Sequence, residues 1–160
     1  MDVFTRTPYK QVIVDSLNHC HQQKGLEVFC WCLMTNHLHL IVRATGEPGL
    51  SDVIRDFKKF TASAVIKLIK EGNESRREWL LDKMAWHGRM DSRITKYKFW
   101  REDNHAIFLD PAKTDMIAQK INYIHQNPVR AGVVIEPNEY LYCSALDYSG
   151  RVGLVKVTVF

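Results

Sequence analysis

Two apolar runs separated by a two-residue polar break constrain the fold of this chain more than any other feature. Residues 26–34 are rich in apolar and aromatic side chains, and residues 37–43 place their apolar side chains at alternate positions. Thr35 and Asn36 lie between the two runs and suit a hairpin turn. The sequence therefore predicts a β-hairpin near the centre of the fold.

The second predicted strand carries two histidines on one face. His37 and His39 are two residues apart, and alternate residues of a strand point to the same face. Two imidazoles at this spacing can bind one divalent cation, and a buried pair favours a metal or acidic partners because two protonated rings repel each other. Partly exposed strand histidines without a ligand are the simpler interpretation of an isolated His-x-His motif.

Length and composition indicate a single globular domain spanning residues 1–160. A chain of 160 residues can bury a sizeable core, and 46% hydrophobic with 25% charged residues is ordinary for a globular protein. Residues 1–8 lack the apolar run of a signal peptide, and no stretch is long and apolar enough to span a bilayer. We therefore expect a cytoplasmic protein.

The four cysteines do not have the spacing of a disulfide framework. Cys30 and Cys32 alternate within a hydrophobic run, which is typical of small buried thiols. A zinc site that combines them with His37 and His39 is an alternative, although structural zinc sites more often use Cys-x-x-Cys pairs.

Residues 89–101 mix basic and aromatic side chains. The segment contains five basic residues and one acid, Asp91, in a chain whose net charge is +4. Basic side chains interleaved with aromatic ones suit a polyanion whose bases can stack. A solvated loop anchored by a few buried aromatic rings explains the same pattern equally well.

Helical periodicity and breaker residues predict four longer helices. Each segment has apolar residues at helical spacing, and a plausible N-cap precedes three of them. The predicted helices run from a cap at Thr7 to Gly25, from a cap at Ser51 to about Lys70, from a cap at Ser75 to about Gly88, and from Asp110 towards Asn127. Short strands are predicted at residues 97–100, 106–109 and 154–160.

The last of these helices carries a phenol and a carboxamide on one face. Tyr123 and Asn127 are four residues apart and precede Pro128, which predicts the end of the helix because proline lacks an amide hydrogen. A phenol is a poor nucleophile at neutral pH unless a metal or a base stabilises the phenolate. The histidine pair could bind that metal with Asn127 as a third ligand, which suits magnesium or manganese. A tyrosine packed on the core and an asparagine at a helix end is the alternative interpretation.

Taken together, the two motifs resemble those of the single-tyrosine HUH transposases, and most closely those of the REP-associated branch. His37, Leu38 and His39 match the His-hydrophobic-His pattern, and the second motif is Tyr-Ile-His-Gln-Asn-Pro-Val-Arg-Ala-Gly from Tyr123. The likeness extends to residues 50–61, to Lys-Phe-Trp at residues 98–100, and to Asn104 and His105.

The resemblance implies an α+β fold, specifically a ferredoxin-like domain with a central antiparallel β-sheet packed by helices. Family members usually carry a further strand before the segment that matches residues 3–5, and this chain starts without it. The activity implied is that of a metal-dependent single-stranded DNA endonuclease and strand transferase in DNA transposition. Such enzymes use Mg²⁺ or Mn²⁺ and act near a DNA hairpin, and relatives include both monomers and domain-swapped homodimers.

The resemblance also implies roles for individual residues. Tyr123 matches the nucleophile that forms a 5′-phosphotyrosine intermediate, His37 and His39 match the metal-binding pair, and Asn127 matches the third ligand. Residue type and position alone suggest further contacts to DNA, with Tyr97 as an alternative stacking ring. These predicted DNA-binding residues are Lys98, Trp100, Arg101, Lys120 and Arg130.

Two other functions remain open at this stage. The first is a catalytically inactive or domesticated protein that binds structured single-stranded DNA without a metal. The second is a small metallohydrolase with a zinc-bound water on the histidine pair. The hydrolase would need a general-base carboxylate near that pair, and neither Glu27 nor Glu47 is obviously placed for this.

Overall fold

The computed structural model describes residues 1–102 and 106–160, so Asn104 and His105 lie outside the described residues. Over these described residues, helices and one antiparallel hairpin make up the regular structure, which confirms the α+β class. In chain order the elements are α1 (Thr7–Lys24), β1 (Leu26–Leu33), β2 (Leu38–Ala44), α2 (Leu50–Glu71), α3 (Arg77–Arg89), α4 (Thr114–His125), α5 (Asn127–Arg130), a 3₁₀ turn (Pro137–Glu139) and α6 (Ala145–Tyr148).

The predicted hairpin is present and is closed by the predicted turn. Strands β1 and β2 pair antiparallel, with Trp31 opposite Leu40 and Cys32 opposite His39. At the turn, the Met34 amide donates a hydrogen bond to the carbonyl oxygen of His37 (2.9 Å). Over the described residues the sheet consists of these two strands, and the ferredoxin-like arrangement therefore stays a prediction.

A β-bulge at Phe29 changes which residues of β1 share a face. Val28 pairs with Val42, but Cys30 pairs with the next residue, Ile41, so β1 has one extra residue at this point. The bulge shifts the alternation by one position. It explains why even-numbered residues before it and odd-numbered residues after it face the same side of the hairpin.

The hairpin separates two hydrophobic cores. The large core lies on the face packed by α1 and α2, and it includes Leu26, Val28, Trp31 and Leu33 of β1. The small core lies on the other face, under α4, and consists of Cys30, Cys32, Met34, Ile117, Ile121, Ile124, Cys143 and Ala145. Because directly opposed residues share a face, His39 lies on the small-core side together with Cys32.

For the helices, the structure agrees better with the predicted end of α1 than with the predicted N-cap residues. Pro8 lies in the first turn of α1, and Gly25 ends that helix in the left-handed conformation (φ 64°). The three predicted caps are wrong, because Arg6, Gly49 and Arg76 occupy the N-cap positions without a side-chain cap hydrogen bond. Before α3, the carboxylate of Glu74 instead accepts a hydrogen bond from the Arg76 amide (3.0 Å).

The structure contradicts the short strands predicted after α3. Residues 97–100 are irregular, with Lys98 donating a backbone hydrogen bond to Met84 of α3 (2.9 Å), and their aromatic rings pack against the large core. Residues 106–109 are also irregular, and Phe108 is 85% exposed. The alternating aromatic side chains of the first segment therefore reflect anchoring to the core and not pairing in a sheet.

The terminal strand predicted at residues 154–160 is also wrong. The segment runs beside β1 and donates a backbone hydrogen bond from Thr158 to Val28 at the bulge (2.9 Å). A ladder would require repeated bonds of this kind, and the neighbouring amide of Lys156 instead donates to the side chain of Asn18 (2.9 Å).

The predicted proline stop takes the form of a break between two helices. Helix α4 begins at Thr114, later than predicted, and ends at His125, while α5 begins again at Asn127 with Pro128 in its first turn. Proline is tolerated there because the amide of a first-turn residue has no partner within the helix. Over the described parts of the chain, no helix has the length and apolar character that crossing a membrane would require.

Candidate active site

The two histidines lie side by side at the closed end of the hairpin. Their rings are 4.7 Å apart between centroids and nearly perpendicular (86°). His37 is exposed beside the turn, and His39 is half-buried on β2. The face alternation of the strand therefore brings the two imidazoles together, as the sequence predicts.

Local contacts prepare both rings to act as ligands. His37 Nδ1 lies 2.6 Å from Asn36 Oδ1, which has no proton to donate, so Nδ1–H is the donor and Nε2 keeps its lone pair. Burial lowers the pKa of both histidines, and the nearby charges of His37 and Arg130 lower the pKa of His39 further. Both rings are consequently neutral at pH 7, the form that binds metals.

Tyr123 lies on α4 and reaches the histidine pair from the opposite element. Its ring is 6.5 Å from the ring of His39 between centroids, at an interplanar angle of 84°. The residue is 56% exposed, so it is accessible from solvent. The structure thus brings together two predicted site residues that are far apart in sequence.

Arg130 contacts the same tyrosine twice. Its guanidinium carbon lies 4.3 Å from the centroid of the Tyr123 ring, and its Nη2 donates a hydrogen bond to the Tyr123 carbonyl oxygen (2.9 Å). A cation over an aromatic face is attracted by the ring quadrupole. The arginine therefore restrains the ring and places a positive charge at the site.

Asn127 is held at the junction of α4 and α5. Its Nδ2 donates to the carbonyl oxygens of Tyr123 (3.3 Å) and Ile124 (3.1 Å). Pro128 has no amide hydrogen, so it cannot supply the usual helical donor to Ile124, and the carboxamide does so instead. Because Nδ2 faces the backbone, Oδ1 on the same carbon is directed to the other side.

The residues present fit a divalent metal. Two neutral imidazoles and a carboxamide oxygen are compatible with magnesium or manganese when water or phosphate oxygens complete the coordination shell. Among the residues that the structure describes, no three histidine, cysteine, aspartate or glutamate side chains are grouped closely enough to hold a metal ion. A three-residue site at the histidine pair therefore needs a ligand of another type, such as Asn127.

The zinc alternative with Cys30 and Cys32 is wrong. Both thiols are fully buried on the small-core face, and among the described residues no three histidine, cysteine, aspartate or glutamate side chains are grouped closely enough to form such a site. The hydrolase alternative gains no support either. Glu27 pairs with Arg43 at the open end of the hairpin, away from the histidines at the closed end.

Sequence reasoning missed His125 and Ser144. His125 is buried, and its Nε2 lies 2.8 Å from the hydroxyl of Ser144. The signal for His125 was present in the sequence, because it follows Ile117 and Ile121 at helical spacing and therefore belongs to the buried face of α4. The sequence contains no comparable signal for its partner.

The predicted DNA-binding residues occupy different environments. Lys98 forms an ion pair with Asp91 (2.7 Å), and Trp100 donates from Nε1 to Thr61 (3.0 Å) within the aromatic part of the large core. Arg101 and Lys120 are exposed, and Arg130 lies over Tyr123. Their roles in binding DNA remain predictions.

Comparison with known proteins supplies the family. A family model described as "Transposase IS200 like" matches residues 1–127, a range that contains the histidine pair, Tyr123 and Asn127. No curated protein and no solved structure matches the chain significantly. The family match covers most of the chain and confirms the resemblance to the single-tyrosine HUH transposases. The chain therefore belongs to the IS200-like transposase family.

Proposed function

We propose that this protein is a metal-dependent transposase that cuts and rejoins single-stranded DNA, with Tyr123 as the nucleophile. Family membership indicates a transposase acting on DNA. The single observation that carries the finer assignment is the approach of Tyr123 to His39, with 6.5 Å between ring centroids, because it joins a candidate nucleophile to a candidate metal ligand.

The proposed reaction is a transesterification. The hydroxyl oxygen of Tyr123 loses its proton to solvent and attacks the phosphorus of a DNA phosphodiester in line with the 3′ oxygen. The bond from phosphorus to the 3′ oxygen breaks, the 3′ oxygen leaves as a hydroxyl after taking up a proton, and a 5′-phosphotyrosine remains. Attack by a 3′-hydroxyl on this intermediate reverses the exchange. No external energy source is required, because one phosphoester bond replaces another.

We assign the metal to His37, His39 and Asn127, with Mg²⁺ or Mn²⁺ as the expected ion. Three features of the chain support this set: a lone pair on His37 Nε2, the neutral state of both rings, and the fixed orientation of the Asn127 carboxamide. A divalent ion bound there would polarise the phosphate and neutralise negative charge that develops in the transition state.

Two exposed basic residues are the best candidates for contacts to the DNA backbone near the nucleophile. Lys120 is three residues before Tyr123 on α4, so the two side chains are neighbours on the helix surface. Arg130 already contacts the tyrosine ring. A single strand with a hairpin is the expected substrate, and a homodimer is one of two expected assembly states.

The decisive experiment is to trap the covalent intermediate. Purified protein is incubated with 5′- or 3′-labelled hairpin-bearing single-stranded DNA and Mn²⁺, and covalent protein–DNA adducts are resolved on a denaturing gel. Wild type should form a metal-dependent adduct, Tyr123→Phe should form none, and Tyr142→Phe should behave as wild type because Tyr142 packs beside the large core.

Two results would reject the mechanism: no adduct with wild type across a panel of hairpin substrates, or an undiminished adduct with Tyr123→Phe. Salt-dependent binding of the same DNA without an adduct, without a metal requirement and without an effect of Tyr123→Phe would identify a non-catalytic binding protein instead.

A further inference from the structure

A buried polar link connects α4 to the hairpin on the side away from Tyr123. His125 is 7% exposed, and its Nε2 is hydrogen-bonded to the hydroxyl of Ser144 (2.8 Å). The edge of its ring packs against Tyr148, with 5.0 Å between ring centroids. Helix α4 thus contacts the rest of the molecule through a directional bond as well as through apolar packing.

Ser144 is itself fixed to β1. Its hydroxyl accepts a hydrogen bond from the Trp31 amide (3.0 Å), and its own amide donates to the Trp31 carbonyl oxygen (2.9 Å). Trp31 pairs with Leu40, the residue that follows His39 on β2. The helix that carries Tyr123 is therefore bonded through Ser144 to β1, the strand that pairs directly with the strand carrying His39.

The anchor lies along the edge of β1 that does not face β2. Residues from the C-terminal part of the chain bind backbone groups of β1 there, and Cys143 forms an isolated β-bridge with Cys32. Tyr148 donates from its hydroxyl to the Phe29 carbonyl oxygen (2.7 Å), two residues before the Ser144 contact at Trp31. His125 contacts both Tyr148 and Ser144, so α4 is fixed to this edge of β1.

Apolar packing alone would define the helix orientation less sharply. Ile117, Ile121 and Ile124 bury α4 on the small core, but contacts between aliphatic side chains have no preferred direction. A hydrogen bond is lost when its angle or length changes appreciably, and a buried imidazole left without a partner is costly. Because the Tyr123 ring extends outward from the surface of α4, a rotation of the helix about its axis would move the ring relative to His39.

We infer that His125 is a positioning residue for Tyr123, because its hydrogen bond to Ser144 fixes the rotation of α4 that directs the phenol towards His39. The catalytic part of this inference rests on the proposed function, whereas the structural part, the approach of the two rings, does not. The two parts can be tested separately.

The structural part is tested by nuclear Overhauser contacts between the rings of Tyr123 and His39 in the metal-free protein. The contacts are expected in wild type and in the control Ile121→Val, which trims the small core without touching the hydrogen bond. They should be lost in His125→Leu and in Ser144→Ala. Contacts of wild-type intensity in both of these variants would overturn the inference, whether or not the protein is catalytic.

The catalytic part is tested by single-turnover adduct formation at saturating DNA and Mn²⁺. His125→Leu and Ser144→Ala should each slow the reaction by about tenfold or more, because a small misplacement of a reacting group is costly. The Kd values for DNA and Mn²⁺ should stay within about twofold of wild type, since neither variant alters a residue that we assign to binding. The double variant should be no slower than Ser144→Ala, because Ser144→Ala already breaks the bond to His125 in addition to the bond from the Trp31 amide.

A general loss of stability would give a different pattern. Ile121→Val should lower the Tm while the rate of adduct formation stays near that of wild type. Rates that fall in step with Tm across all variants, Ile121→Val included, would overturn the positioning role. If His125→Leu fails to fold, His125→Gln tests the same hydrogen bond. The glutamine amide can hydrogen-bond to Ser144, so this variant should keep part of the wild-type rate.

Discussion

The guanidinium of Arg130 lies over the ring of Tyr123, with 4.3 Å between the guanidinium carbon and the ring centroid. The two residues belong to different helices, and the break at Gln126 allows the side chain from α5 to fold back onto the last turn of α4. The break near Pro128 is therefore part of the site, because it creates the geometry in which a cation and the proposed nucleophile meet.

Replacing Arg130 should slow the proposed chemistry. In Arg130→Gln the positive charge beside the attacked phosphate is lost, and we expect adduct formation to slow by about 10- to 100-fold. Arg130→Lys should recover only part of the rate, since an ammonium keeps the charge but lacks the planar surface that stacks on the ring. Single-turnover gels measure the rate, and Arg151→Gln, an exposed arginine outside the predicted DNA-binding residues, is the charge-matched control. A rate for Arg130→Gln equal to that of the control would contradict this role.

Replacing Asn127 should affect both metal binding and the helix junction. Asn127→Ala removes the proposed oxygen ligand and the amide that bonds to the carbonyls of Tyr123 and Ile124. We expect Mn²⁺ affinity to fall by about 10- to 100-fold in calorimetry, by analogy with the loss of groups that support metal sites. Loss of the hydrogen bonds should lower the free energy of unfolding by about 0.5–1.5 kcal/mol. Asn122→Ala, an exposed change on the same helix, should alter neither quantity, and unchanged Mn²⁺ affinity in Asn127→Ala would remove this residue from the ligand set.

Local sequence patterns were sufficient to predict much of the fold and the histidine pair of the candidate site. Pro8 and Gly25 mark the ends of α1 because their backbone preferences are local. The pairing of His37 with His39 follows from strand alternation within three residues. Such features depend on neighbours in sequence, which a single chain displays directly.

The remaining features depend on tertiary contacts that sequence patterns do not encode. The bulge at Phe29 lies in a run of apolar residues, so no change in alternation reveals it. The bond between His125 and Ser144 and the approach of Tyr123 to His39 arise from packing between remote elements. The need of a phenol for a metal or a base suggested a link between Tyr123 and the histidines, and the resemblance to a family favoured that link over simple packing. The resemblance did not indicate His125 or the stacking of Arg130.

Acid should destabilise the protein in part through Asp91. Hydrogen bonds from Lys98 and then Arg93 hold the pKa of this carboxyl well below its usual range. The unfolded state therefore takes up a proton at a higher pH than the folded state. This contribution to stability is complete above the unfolded pKa of about 3.9 and is lost as the pH falls below it. Urea unfolding between pH 7 and pH 3 should show a steeper acid loss for wild type than for Asp91→Asn.

The control for this prediction is Asp52→Asn, because Asp52 forms an ion pair with Arg55 but is 49% exposed. Exposed pairs contribute little, so its unfolding profile should follow that of wild type. If the free energy of unfolding depends equally on acid in wild type and in Asp91→Asn, Asp91 does not contribute to the loss of stability at low pH.

Substitutions at Trp100 and Lys120 should distinguish a residue that anchors the core from a residue that binds DNA. Trp100 donates to Thr61 and packs against Phe4 and Phe57, so we expect Trp100→Phe to lower the free energy of unfolding by about 1–3 kcal/mol. Its Kd for single-stranded DNA should stay near that of wild type if the ring serves the core. Lys120→Ala should have the opposite profile, with unchanged unfolding and a salt dependence of DNA binding that is shallower by about 0.7 in log–log slope, the value for one phosphate contact. Urea titrations and fluorescence anisotropy at several salt concentrations measure both quantities. Weaker DNA binding by Trp100→Phe without a loss of stability would instead indicate that the Trp100 ring stacks on a DNA base. A ring that only anchors the core cannot change the affinity for DNA while the core is intact.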